Sequence, residues 1–344
     1  MRGKACVRVL CALALAGMLL GLLISCKGRG AEPEQSYPVS AMGFDPCENA
    51  IRVTIEIPVI GARDSEAMRT IVFSETAASV REALARMERE VPRALVFSHC
   101  ALAVLGEDLD RERMQEIFSF AEGGDQLPLA TEVVRVANAE ELLRAGSLSA
   151  PAVGYEIPEL LECEEGRMGV DMRCSIYELR AIASPDLPVA IPRVERVPMG
   201  DRFVAQLGGL DILRPHAETV RLSAEDWIPY AILSDRLTGK PDTAQRIGRI
   251  GRVLTAEPDG EGISLSLNLK IKLTEGTDHR ASELQQEIVT RTEHLFAYAR
   301  DVVGEDLFHL GEQVKRKNAV FQTSDLTWIQ DATLSINCEM EGRR

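Results

Sequence analysis

Basic residues are the minority charge in this chain. It has 39 Lys and Arg against 53 Asp and Glu, a formal net charge of −14 over 344 residues. A surface of that sign offers no footprint to nucleic acid and is repelled by anionic lipid headgroups. Histidine is scarce too: there are five, and none stands at ligand spacing from another or from a cysteine, which argues against a metal site. There is no GxSxG elbow, no phosphate-cradling glycine loop, no HExxH and no CxxC pair. The usual signatures of hydrolases, nucleotide enzymes, zinc proteases and dithiol redox proteins are therefore missing, and no cofactor motif takes their place. Aromatics make up only 5% of the residues, yet 45% hydrophobic overall is an ordinary globular composition. No repeat period is visible, and after residue 25 no apolar run is long enough to span a bilayer.

The N-terminus is different. Arg2, Lys4 and Arg8 precede an uncharged run from Val9 to Ile24, the pattern of a secretory signal. As a helix those residues would rise about 24 Å, short of a hydrocarbon core of roughly 30 Å. The run ends in Leu23-Ile24-Ser25-Cys26, which resembles a bacterial lipobox, so residues 1–25 are expected to be removed and Cys26 lipidated. Removal would leave 36 basic against 53 acidic residues, a net −17, on about 320 residues. Such a chain would be held at a membrane by lipid and not by a basic patch. Lys27 to Tyr37 carries Gly, Pro, Glu and Ser without periodicity and reads as a tether.

Five further cysteines remain, Cys47, Cys100, Cys163, Cys174 and Cys338. Cys163 and Cys174 flank Glu-Glu-Gly-Arg-Met-Gly, close enough for a local disulfide outside the cytoplasm; the plainer reading is that the cysteines are small buried hydrophobes. His99 next to Cys100 suggests a base and nucleophile, but adjacent strand residues face opposite sides. Glu107-Asp108 and Glu164-Glu165 read as helix starts and solvated turns, not acid/base couples.

Periodicity predicts alternating elements. Ile51, Val53, Ile55, Ile57 and Val59 alternate with polar residues, and Pro58 suggests an edge strand. Val80, Leu84, Met87 and Val91 have helical spacing after the capping candidates Ser74 and Thr76, with Pro92 as the stop. Ala94 to Leu105 reads as a central strand, 108–121 as a helix, 129–137 as extended and 139–145 as a helix. The stretch 147–198 is rich in Pro and Gly and is expected to link or decorate, with a short helix at 176–182. Beyond it, 202–213 reads as extended, Ser223 to Asp226 as a capping box, and Gly248–Gly251 and Pro258-Asp259-Gly260 as turns. Last come a strand over 263–273, a long helix over 281–303 with its stripe at Leu284, Ile288, Leu295, Ala299 and Val302, a helix over 306–317 and a strand over 332–340. The long helix is expected to cover the sheet holding both strands, rather than to meet a membrane or a partner helix.

The expected fold is a mixed α+β, multi-domain chain. A signal (1–25) and a tether (26–41) precede an N-terminal layered α/β unit (42–195), a small middle domain (196–252) and a C-terminal antiparallel sheet under a long helix (253–341).

Taken in order, these segments resemble the Ger(x)C-type spore germination lipoproteins, the C subunits of germinant receptors. The resemblance rests on Gly43-Phe44-Asp45, on Ser74 to Pro92 leading into Arg93 to His99, on Gly106 to Leu109 and on Ala139 to Leu143. It continues through Ser175 to Leu179, Pro185 to Pro192, Leu222 to Glu225, the long helix, and Gly311-Glu312 to Trp328. Two places depart from the family pattern: Lys27-Gly28 stands where Trp-Asp usually follows the lipidated cysteine, and Gly123-Gly124-Asp125 replaces an arginine-containing turn. The resemblance implies a three-domain lipoprotein on the outer surface of the inner spore membrane. It also implies A and B membrane subunits as partners, a role in sensing nutrients, and no known chemistry of its own. Two readings compete with it: a solute-binding envelope lipoprotein acting alone, and an envelope hydrolase, for which clustered catalytic residues are missing.

Overall fold

Ser79 sets the start of the first helix. Its side chain accepts the Glu82 amide at 3.2 Å, and helix α1 runs from Val80 to Glu90 with Val80, Ala83, Leu84 and Met87 buried. Ser74 and Thr76, the caps expected from the sequence, lie instead in strand β4 (Arg69–Ala77), because that strand extends to the foot of the helix. The computed structural model describes residues 36–59, 69–123, 127–147, 150–179, 187–200, 202–214, 217–238, 247–259, 262–273, 281–317 and 326–341.

The central element is an eight-stranded mixed sheet. Its members are β2 (Ala41–Cys47), β3 (Ala50–Val59), β4, β6 (Leu102–Gly106), β7 (Glu132–Val136), β8 (Val189–Met199), β9 (Arg202–Leu213) and β10 (Val220–Ser223). They lie in the order β10-β9-β8-β7-β6-β2-β3-β4; β2, β6, β7 and β8 are parallel, and the flanking pairs are antiparallel. The run expected as one strand over 94–105 breaks in two. Ala94–Val96 forms β5, paired with β1 (Ser36–Pro38), and a turn at 98–99 separates it from β6. The expected tether is correspondingly shorter, since Ser36–Pro38 already belongs to the fold.

Helices cover both faces. α1 and α2 (Arg111–Glu122) pack on Phe44, Val53, Ile55 and Leu105. α3 (Ala139–Ala145) and α4 (Val153–Met168) pack on Ala41, Leu102, Val104 and Val134. Strand β3 is therefore not the edge that Pro58 suggested: β4 lies outside it, and α3 and α4 bury Thr54 and Glu56 on its polar side. The sixteen-residue α4 stands in the stretch the sequence marked as linker, and Ile176–Leu179 is a turn rather than a helix.

A hairpin carries the sheet past residue 195. β8 and β9 pair with a bulge at Gly208, next to Gly209 at φ +133°, where an added Cβ would stand 2.0 Å from the Leu222 carbonyl oxygen. The Ser223–Asp226 capping box forms as expected and leads through a 3-10 turn into α5 (Trp227–Ser234). α5 is buried between Leu210, Ile212 and Leu222 on one side and the C-terminal sheet on the other.

That second sheet has the order β11-β12-β13, with β11 at Ile247–Asp259, β12 at Gly262–Leu273 and β13 at Ala332–Glu341. Gly248–Gly251 thus falls inside a strand and not a turn. β12 and β13 pair in parallel over ten residues, so the sheet is mixed, not wholly antiparallel. The crossover through α6 (Ala281–Ala297) and α7 (Leu310–Lys317) returns the chain to the same end, which forces that direction. α6 covers Leu265, Leu267, Leu269 and Ile271 with Ile288, Leu295 and Phe296. It ends in a π-helical segment, Tyr298–Val303, whose wider turn rotates Val302 off the stripe to 71% exposure. Strands β8 and β11 run straight through residues 195 and 252, so neither expected domain boundary is a break in the chain's sheets.

Candidate functional site

The N-terminal ends of the parallel strands stand side by side. The Ala101 amide donates to Ser40 O at 3.0 Å and the Glu132 amide to Ala101 O at 2.9 Å, while Thr131 Oγ1 donates to Cys100 O at 2.7 Å. At this end β8 has not yet reached β7, and residues 174–177 fill the space. Val133 N donates to Cys174 O at 2.7 Å, Ile176 N to Thr131 O at 2.9 Å and Tyr177 N to Leu129 O at 3.0 Å.

A cavity of about 450 Å³ opens beside this junction, lined by Leu129, Ala130, Glu132, Asp171, Arg173, Ser175, Tyr177 and Glu178 among others. A second, of about 590 Å³, shares Tyr177 and Glu178 and is bounded by Pro188, Arg236, His309 and Arg316. Together they form one groove between the sheet end and helix α7. Glu178 is well held: its carboxylate accepts the Ser175 amide at 2.8 Å and Arg236 Nη2 at 3.0 Å. Arg173 faces three acids at once, Glu165 at 3.0 Å, Glu132 at 3.7 Å and Asp171 at 3.7 Å. Glu132 Oε2 is buried and has no hydrogen-bond partner among the described residues. Burial pushes the Glu132 carboxyl up to about 7, and Asp171, Glu162 and Glu165 add to this against Arg173. Burial also holds the His309 imidazole below its ordinary value. The groove is thus acidic at one end and basic at the other, with Tyr177 (55% exposed) and Leu129 (46% exposed) at its mouth.

The residues singled out from the sequence do not converge here. Cys26 lies outside the described residues. Cys163 is exposed on α4 and Cys174 is buried at the groove floor; both thiols are free, so the local disulfide is not present. The continuation of α4 to Met168 keeps Cys163 on its solvent face while Cys174 turns inward toward β7. His99 is exposed and Cys100 buried, so the pair does not meet, and burial pushes the Cys100 thiol up to about 12. Glu107 pairs with Arg221 at 2.6 Å, Glu164 with Arg167, and Glu165 with Arg173. Among the described residues no group of three or more His, Cys, Asp or Glu side chains could hold a metal ion.

The groove is hidden in the sequence because its walls come from five segments spread between Leu129 and Arg316. A local signal was Glu132 itself, a carboxylate opening a strand that carries Val133, Val134 and Val136 beside Arg135.

Comparison with known proteins fits this architecture. Residues 30–181 match the family described as the spore germination protein N-terminal domain. The crystal structure of the GerBC protein matches with a TM-score of 0.51 at 11% identity, over 87% of this chain and 96% of that one. Among curated proteins, none matches this sequence. No described helix is long and apolar enough to cross a membrane.

Proposed function

We propose that this chain, whose residues 30–181 match the spore germination protein N-terminal domain, acts as a lipid-anchored C-type subunit of a nutrient germinant receptor. In this reading the subunit is a non-enzymatic assembly and sensing module, held by a lipid on Cys26 at the outer surface of the inner spore membrane beside A and B membrane subunits. The observation that carries it is the family match over the N-terminal domain, and a fold shared with GerBC along most of the chain supports it. The chemistry of the site is consistent with this. The groove holds carboxylates, arginines and exposed apolar side chains suited to contact, and the two most buried thiols are raised far above the reactive range.

Deleting the gene tests the reading: spores should lose germination with at least one nutrient while germinating normally with a nutrient-independent trigger. Unchanged responses to every nutrient, in a strain without a duplicate receptor, would rule it out. Thermal shift of the purified soluble fragment separates it from a solute-binding protein acting alone, which would be strongly stabilised by one small molecule.

A further inference from the structure

We propose that the groove formed by the two adjoining cavities is the docking site for a basic segment of a membrane-embedded partner subunit. A lysine or arginine of that segment would sit against Glu132, and its apolar neighbours against Leu129 and Tyr177. The inference rests on the receptor-subunit reading above and names the surface through which the subunit is held.

Charge is the first argument. At the acidic end one guanidinium, Arg173, serves Glu132, Glu165 and Asp171, so negative charge is in surplus. The Glu132 oxygen that lacks a hydrogen bond among the described residues is the natural acceptor for an incoming cation, because a buried carboxylate left unsatisfied is costly and a charge-assisted bond relieves it. Shape is the second. Two cavities of about 450 and 590 Å³ that share Tyr177 and Glu178 are both open to solvent, whereas small-molecule sites enclose most of their ligand. An exposed tyrosine and leucine at its mouth are the residue types that anchor protein contacts.

Position is the third. The groove opens at the N-terminal ends of β2, β6 and β7, the end at which the chain enters the fold through β1. The ten steps from Cys26 to Ser36 reach at most roughly 35 Å, so a lipid on Cys26 would keep this end near the bilayer, where a membrane-embedded partner lies. Another exposed apolar group among the described residues, Val197, Met199 and Phe203 at the tip of the β8–β9 hairpin, lies at the opposite end of the sheet.

The test uses the full lipid-anchored chain in spore membranes with epitope-tagged A-type and B-type subunits. A photoreactive phenylalanine at Tyr177 should crosslink to one tagged subunit at a peptide bearing Lys or Arg beside the attachment point; the same probe at Ser335, on the wet face of the second sheet, should not. Glu132→Lys should reduce co-isolation of the tagged subunits at least about tenfold, with Glu132→Gln and thermal melts reporting that the fold is kept. Crosslinks to lipid alone, or equal crosslinking from both positions, would overturn the docking site while leaving the receptor reading standing. Full co-isolation of a folded Glu132→Lys variant would do the same. If Glu132→Lys does not fold, the crosslinked peptide decides by itself. A wild-type chain that co-isolates with neither tagged subunit sinks the receptor reading and this inference together.

Discussion

The Glu56 carboxylate accepts the Val153 amide at 2.9 Å, so an acid in strand β3 caps a helix that begins 97 residues later. The other oxygen takes the Gly154 amide at 2.8 Å and the Ser40 hydroxyl at 2.9 Å. Ala152, at the cap position of α4, makes no side-chain bond, so Glu56 supplies what local sequence does not. Asp45 adds to the local Asn138 cap of α3, accepting the Ala139 and Glu140 amides at 2.8 and 2.9 Å.

Glu56→Ala should therefore destabilise the protein by about 2–4 kcal/mol, through the lost cap and the orphaned buried amides. Gly154→Ala should cost about 1–3 kcal/mol, because its Cβ would stand 2.5 Å from the Ser40 carbonyl oxygen. Urea denaturation midpoints measure both, and an unshifted midpoint for Glu56→Ala would mean the cap is not needed.

Asp211 is fully buried and joins two arginines, Arg193 at 2.7 Å and Arg135 at 3.7 Å. Asp211→Ala would leave buried cationic charge without its partner, a loss of about 3–5 kcal/mol. Asp211→Leu combined with Arg135→Met should recover part of it, because the more deeply buried of the two cations goes too while Arg193 keeps Glu195 at 3.4 Å. A double variant as unstable as the single one would contradict this account.

Glu132 predicts a pH dependence. Its folded value of about 7 lies above the ordinary 4.5, so the folded chain holds a proton that the unfolded chain has released across that window. Stability from this group is then lost as pH rises from about 4.5 to 7. Glu132→Gln should melt like the wild type near pH 4 and progressively higher than it up to pH 7, with the gain constant above. A difference in melting temperature that is the same at all pH values would count against a titrating Glu132.

Native alkylation should modify Cys163, which is exposed, and spare Cys100 and Cys174 until the protein unfolds. Burial holds both protected thiols above their ordinary value, leaving little thiolate to react. Recovery of a Cys163–Cys174 linked peptide without reduction would contradict the structure.

Cys26→Ala should leave the fold intact and mislocalise the chain, since residue 26 precedes every described element. Cell fractionation with N-terminal sequencing gives the answer: membrane-bound protein whose signal has been removed would refute lipid anchoring.

Much of the fold was legible in the sequence because much of it is local. The alternation over 263–273 gave β12 and its buried face, the Ser223–Asp226 box formed as written, and residues 139–145 and 202–213 became α3 and β9 with the expected bounds. The periods of 2.0 and 3.6 residues depend only on neighbours along the chain. The misreadings share the opposite cause. Pro58 suggested an edge because β4 and α3, which enclose β3, lie elsewhere in the sequence. α4 was hidden because its cap is Glu56 and its interior holds Pro158.

By itself, then, the sequence determined most of the segments that extend or coil and the apolar face of each, and it carries the lipobox-like run Leu23-Ile24-Ser25-Cys26. Tertiary structure alone decided that β13 runs parallel to β12, that Val302 turns outward, that Cys163 and Cys174 stay apart, and that Glu132 meets Arg173 and Tyr177 in one groove. Those outcomes depend on the direction in which a crossover returns, and on desolvation by residues far away in the chain, which neither composition nor period encodes.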